Sequence, residues 1–150
     1  MVLSQRSQYA VRAVLELARR QRDGAPVKAG AIAAAQLIPA RFLENILAQL
    51  RQGGIVESSR GKEGGYMLRR PARQVSVGDV VRFLEGRLPI IDCREATAER
   101  GCSLQPGCVL LPVWEEAHEA MMQVFDRTSF QYLLERERAA QGCAVPDYVI

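Results

Sequence analysis

A single histidine, His118, is the only imidazole in the 150 residues, so a histidine-dependent catalytic pair would have to draw its partner from far along the chain. No serine or cysteine sits in a nucleophile motif, and neither a phosphate-cradling loop nor a dinucleotide fingerprint occurs. The chain is therefore read as a non-enzyme. No run approaches the ~18 apolar residues of a membrane span, so no membrane is expected among its partners. The opening MVLSQRSQYAVRAVLELARR lacks the short apolar core and small-residue cleavage site of a leader. A cytoplasmic protein is expected, where static disulfides are disfavoured. Its four cysteines then need another explanation, and no CxxC pair is there to suggest a zinc ribbon or finger. Internal repeats and low-complexity segments are also missing.

What is present is an uneven distribution of charge. The net charge of +3 divides into +8 over residues 1–88 and −5 over residues 89–150. A basic half joined to an acidic half points to a polyanion that meets one half only.

The basic half holds the most structured stretch, Pro39 to Leu68. Leu43, Ile46, Leu47 and Leu50 stand at i, i+3, i+4 and i+7, one apolar stripe of a helix, and Phe42 is read as widening it. Pro39 suits the first helical position and Gly53-Gly54 the end. Arg41, Glu44, Asn45, Ala48, Gln49 and Gln52 point the other way, mostly as polar side chains able to meet base edges. Two short strands follow, Ile55–Ser59 and Gly65–Arg69, joined by a turn whose glycines permit positive φ. Arg60 and Lys62 sit at its tip, and a cationic tip suits the narrow, electronegative minor groove. The candidate DNA contacts are thus Arg41, Glu44, Asn45, Gln49 and Arg51 on the helix, with Ser59, Arg60 and Lys62 on the hairpin.

Upstream, the period predicts a helix over 8–20 with Ala10, Ala13, Val14, Leu17 and Ala18 inward, and Arg12, Glu16, Arg19 and Arg20 outward. A short helix over 29–37 turns Ile32, Ala33 and Leu37 inward. Short helix, tight turn and polar-faced helix give the order of a helix-turn-helix, which the hairpin makes winged. Downstream, Ser76 and Asp79 make a weaker relative of a capping box. The helix they open buries Val77, Val80, Val81 and Leu84 and ends at Gly86.

Residues 90–107 show no period, and a run of that length is usually functional or disordered. The segment leads through Cys93 and Cys102 to Cys108, spaced x8 and x5. Thiolates are soft donors that suit iron–sulfur clusters and zinc. Buried thiols or a redox switch are the plainer readings. From Leu110 onward Trp114, Ala117, Met121 and Val124 form a coiled-coil-like seam, which asks for a partner helix and so for a two-fold dimer. A short last helix is expected around Phe130, Leu133 and Leu134, then a loose tail that includes Cys143. The fold class expected is mainly α with a small β-hairpin wing: a winged helix-turn-helix plus a long dimerisation helix. Its parts are a DNA-binding domain at 1–88, a cysteine loop at 89–109, dimerisation helices at 110–138 and a tail at 139–150.

From Leu3 to Leu134 the chain resembles the Rrf2 family of bacterial winged-helix transcription regulators. The residues that carry the resemblance are Tyr9-Ala10-Val11, Leu43-Glu44 with Leu47 and Leu50-Arg51, Ser59-Arg60-Gly61 through Gly64-Gly65-Tyr66, and Val75 to Val80. With its three-cysteine loop it looks like the iron–sulfur branch of that family. The resemblance implies a homodimer on double-stranded DNA at a pseudo-palindromic operator. Base contacts would come from Arg41 and Glu44, and Arg60 would enter the minor groove. It implies a [2Fe-2S] or [4Fe-4S] cluster on Cys93, Cys102 and Cys108. The fourth ligand stays open: Leu111 stands where the biogenesis type has histidine, and Gln8 where the nitric-oxide type can use an acidic residue. The x8 spacing is closer to the iron-response type. The alternative is a cluster-free member of the family controlled by a partner protein, a small ligand or thiol oxidation.

Overall fold

The computed structural model describes residues 3–21, 24–61, 64–86 and 108–142. Helix α1 spans Gln5–Arg20. It starts three residues before the apolar period does, because the Ser4 hydroxyl accepts the Ser7 N–H at 3.2 Å and caps it. Ala10, Ala13, Val14, Leu17 and Ala18 are buried as the period requires. Three of these five are alanines, so neighbouring backbones can approach closely. Helices α2 (Ala29–Gln36), α3 (Ala40–Gln52), α4 (Val77–Glu85) and α6 (Phe130–Gly142) all pack on α1, as does strand β2 (Gly65–Leu68). The first helix is therefore the hub of the core.

The chain bends through 118° between α2 and α3, the crossing of a helix-turn-helix. Both helices stop in the same way. After α3, Gly54 takes φ +66° and the Ile55 N–H reaches back to the Leu50 carbonyl at 3.0 Å. After α2 the left-handed residue is Leu37, at φ 51°, and the Ile38 N–H donates to the Ala33 carbonyl at 3.0 Å. Leu37 was expected inward; it is 83% exposed. The left-handed stop swings its side chain off the helix face, and Ile38 takes the buried place instead. Pro39 is the N-cap of α3, one place earlier than its expected position.

Strand β1 (Val56–Ser59) pairs antiparallel with β2, Val56 opposite Leu68 and Ser59 opposite Gly65. The other edge of β2 is also used: Val27 and Tyr66 exchange two N–H···O bonds of 2.8 Å. The wing is thereby tied to the α1–α2 connection. A Cβ at Gly65 would stand 2.6 Å from the Val27 carbonyl group, so only glycine lets these backbones meet.

A 3-10 turn, Ala72–Gln74, leads into α4, where both halves of the capping box form between Ser76 and Asp79. Helix α5 runs Leu111–Arg127. The turn after it is pinned beside the start of α4: the Val77 N–H donates to the Thr128 carbonyl and the Phe130 N–H to the Val75 carbonyl, both at 2.9 Å. Asp126 accepts two bonds from Arg82, at 2.6 and 2.7 Å. Phe130 and Leu134 sink into the same core as α1. Helix α6 takes in residues 139–142, which the sequence places in the tail. Among the described residues no single helix is long and apolar enough to cross a membrane.

Candidate nucleic-acid interface

The stripe Leu43, Ile46, Leu47 and Leu50 is buried to within 2% and fixes the roll of α3. Arg41, Glu44 and Asn45 are exposed on the far side. Gln49 is half-buried, and its Oε1 is enclosed with no hydrogen-bond partner. Arg51 is exposed, and its Nη1 donates to the Ser58 hydroxyl at 3.3 Å. Of the helix candidates, Arg51 is thus engaged as a strut between α3 and the wing, while Arg41, Glu44 and Asn45 stay open to a ligand.

Ser59 and Arg60 are exposed where β1 ends. Gly61 takes φ +108°, and the Gly64 N–H closes the turn onto the Gly61 carbonyl at 2.9 Å. A glycine is required at 64 as well, since a Cβ there would collide with the Ser59 and Gly61 carbonyls. Arg60 is thus exposed between the end of β1 and this turn. Lys62 lies outside the described residues. The exposed polar face of α3 and the exposed Arg60 thus stand on neighbouring elements, joined by the Arg51–Ser58 bond.

Phe42 does not join the buried stripe as expected. It is 57% exposed, its ring edge-on to Tyr9 with centroids 6.5 Å apart. The Arg12 guanidinium lies 5.9 Å from the Tyr9 ring centre, and Gln5 Nε2 donates to the Tyr9 hydroxyl at 3.0 Å. This cluster at the first turn of α3 was missed in the sequence, because nothing local links residues 9 and 42.

Glu16 is the other correction. Expected outside, it is 5% exposed. Arg19 Nη1 and Arg20 Nε each donate to it at 2.8 Å, and Gln36 Nε2 at 3.0 Å. Burial pushes its carboxyl up, but the bonds from Arg20, Arg19 and Gln36 outweigh that and hold it below the ordinary carboxylate range. Arg19 also forks onto Glu137 of α6, at 2.6 and 3.0 Å. That bond chiefly holds the Glu137 carboxyl low and raises Arg19. The Gln36 carbonyl in turn accepts from Arg12. The last residue of α2, just before the bend, is thus held by its side chain and by its backbone. The pairs Glu16–Arg19 and Glu16–Arg20 were visible as i,i+3 and i,i+4 spacings; their burial was not.

At the acidic end, Cys108 is half-buried just before α5, its carbonyl accepting the Leu111 N–H at 3.4 Å. Cys93, Cys102 and Cys143 lie outside the described residues. Among the described residues no three His, Cys, Asp or Glu side chains converge to hold a metal ion. Cys108 stands two residues before Leu110, the N-cap of α5. The three-thiol donor set itself has the soft chemistry of an iron–sulfur ligand. His118 is partly buried, with Nδ1 enclosed and unpartnered, on a pocket of about 410 Å³ between α4 and α5.

None of the residues of α5 is fully buried. Met121, Met122 and Phe125 pack on the protein's own core. Leu110, Val113 and Val124 are 54%, 52% and 45% exposed, with Ala117 and Ala120 exposed between them. The seam read from sequence divides between two faces: Met121 goes inward, Leu110, Ala117 and Val124 stay outward, and Trp114 is intermediate. Val113 and Ala120, passed over in that reading, complete an outward stripe with steps of three and four.

Residues 3–136 match the Rrf2 family, described as an iron-dependent transcriptional regulator. A Mycobacterium tuberculosis protein named as an HTH-type transcriptional regulator is 36% identical over 149 residues, 99% of this chain and 86% of the relative. The HTH-type transcriptional regulator IscR of Yersinia enterocolitica is 28% identical over 137 residues, 91% and 81% of the two chains. Among solved structures, T. potens IscR superposes with a TM-score of 0.73 at 30% identity, covering 99% of this chain and 95% of that one. CymR, the global cysteine regulator of B. subtilis, does so with 0.72 at 25%, covering 91% and 98%.

Proposed function

The chain belongs to the Rrf2 family of transcriptional regulators, and from that premise we propose that it is a homodimeric, cytoplasmic DNA-binding regulator whose affinity is set by an iron–sulfur cluster. Cys93, Cys102 and Cys108 would hold the cluster. The observation that carries the DNA half of this reading is the joint exposure of Arg41, Glu44 and Asn45 on α3 beside Arg60 on the wing. What supports the sensing half is the three-thiol spacing, the half-buried Cys108 just before α5, and a family described as iron-dependent.

The residues divide the work. Arg41, Glu44 and Asn45 meet base edges in the major groove, and Ser59, Arg60 and Lys62 engage the minor groove and phosphates. The outward stripe of α5 packs against its copy, so that two readers face a pseudo-palindrome. The cluster, when bound, supplies a group that responds to iron, oxidant or nitric oxide. Its three thiolate donors would tie the segment between α4 and α5, and so the mutual setting of those helices. From there the Arg82–Asp126 pair and the packing of α4 on α1 lead to the reading head. A difference of a few kcal/mol between the two states suffices for about 100-fold in affinity.

The test is anaerobic reconstitution with iron and sulfide, read by visible absorption, metal and sulfide counts, and operator binding of loaded and stripped protein. We expect a coloured protein whose two forms differ in affinity, and a colourless Cys102→Ala variant with unregulated binding. A wild type that stays colourless, or binds equally in both forms, would sink the sensing half. The near-equal likeness to CymR favours a second reading, a cluster-free regulator controlled by a partner, a small ligand or thiol oxidation. Iron and sulfide below one equivalent per dimer, with affinity that changes on thiol oxidation, would select it.

A further inference from the structure

We infer that Phe42 is a specificity residue that reads the C5-methyl group of a thymine in each half-site, an assignment that rests on the DNA-binding reading above. The ring is one residue from Arg41 and two from Glu44, on the first turn of α3, which is the part of a reading helix that reaches base edges. Its exposure of 57% is unlike that of the four neighbouring apolar positions, none of which exceeds 2%. The ring rests against α1 along one edge. Tyr9 meets it edge-on, and Tyr9 is itself fixed by Arg12 and by Gln5. A large apolar group that is exposed yet already ordered loses little freedom on binding.

The chemistry of the groove selects the target. In duplex DNA the base faces are stacked and closed to a side chain entering from the major groove. The one apolar group on the base edges there is the thymine methyl, and the minor groove offers none. The polar neighbours Arg41 and Glu44 suit guanine and cytosine edges, which leaves the aromatic residue to an adjacent thymine. A phosphate would be matched by Arg41 or Arg60, and a ring without a hydroxyl offers it no hydrogen bond.

An operator is first selected from random duplexes with the full-length protein. Each thymine is then replaced singly by deoxyuridine, which removes only the methyl group. For wild type we expect one thymine per half-site whose loss weakens binding about fourfold, the ~0.8 kcal/mol of one buried methyl at ~1.4 kcal/mol per decade. Phe42→Ala should bind thymine and uracil operators equally, and Phe42→Leu should keep part of the preference. Circular dichroism confirms that both variants are folded. If Phe42→Ala keeps the full methyl dependence, or wild type shows none, the assignment is overturned and the ring touches sugar or solvent instead. If Leu37→Asn, the other exposed apolar residue near the bend, abolishes the dependence, the assignment moves off Phe42. A protein that selects no sequence removes the regulator reading itself, and the methyl contact with it.

Discussion

At the scale of single residues, Glu16 and Leu37, like Phe42, depart from the pattern their neighbours set, and each makes a measurable statement. Glu16 is a buried carboxylate held by two arginines and a glutamine. Glu16→Gln removes the charge that those donors share and should cost about 2 kcal/mol at neutral pH, by denaturant unfolding. The pH dependence follows from the sign. The folded pKa values of Glu16 and Glu137 lie below the ordinary 4.5, so their stabilisation is complete above that value and is lost as pH falls through the folded pKa. The gap between wild type and Glu16→Gln should therefore be widest at neutral pH and close below about pH 4.5. A constant gap across that range would show the ion network to be irrelevant. Leu37 stands left-handed and 83% exposed. Replacing it with glycine gives up almost no burial and relieves a conformation that costs a side-chain residue roughly 1–2 kcal/mol. Part of that gain goes to the freer unfolded chain. Leu37→Gly should stabilise the protein by about 1 kcal/mol, as a higher urea midpoint at unchanged slope.

At the scale of elements, helix α3 and the wing should fail in different ways. Arg60 sits beside a turn that requires glycine at 61 and 64. If Arg60 makes the proposed phosphate and minor-groove contact, Arg60→Ala should weaken binding to all duplexes and make the salt dependence shallower by about one ion. Glu44 lies on the proposed reading face of α3, exposed, and carries no charge that attracts DNA. Glu44→Ala should instead relax the choice of base at one position by roughly 1–3 kcal/mol and leave the salt slope alone. Equal losses on specific and random duplexes from both changes would contradict this division. Helix α5 makes the same point about faces. Its inward residues Met121, Met122 and Phe125 serve its own core, and its outward stripe has no cover among the described residues of one chain.

At the scale of the whole molecule, that stripe is the proposed dimer seam. If two copies meet there, Val113→Glu would set two like charges in an apolar seam. It should convert a dimer to monomers in sedimentation at micromolar concentration, with the helical content retained. A wild type that sediments as a monomer would remove the dimer, and with it the expectation of a pseudo-palindromic operator. The single core also matters here. Phe130 and Leu134 of α6 share it with α1, and Arg19 reaches Glu137 across the same contact. The acidic C-terminal helices and the basic reading head are thus packed together, and a change at one end has a contiguous route to the other.

Much of this was legible in the chain itself. The stripe Leu43, Ile46, Leu47 and Leu50, the Ser76–Asp79 capping box, the glycines of the wing turn and the winged order of elements all follow from rules that act within a few residues. Periodicity, capping and turn chemistry need no distant partner. The three-thiol spacing and the uneven charge are likewise properties of the sequence alone. Tertiary structure decided the rest. Glu16 is inside because Gln36 and Arg19 close over it. Phe42 is outside because α1 offers it only the edge of Tyr9, and the seam on α5 splits because α4 and the core claim one side of it. Whether a face is buried depends on what distant segments bring against it, and no local pattern encodes that.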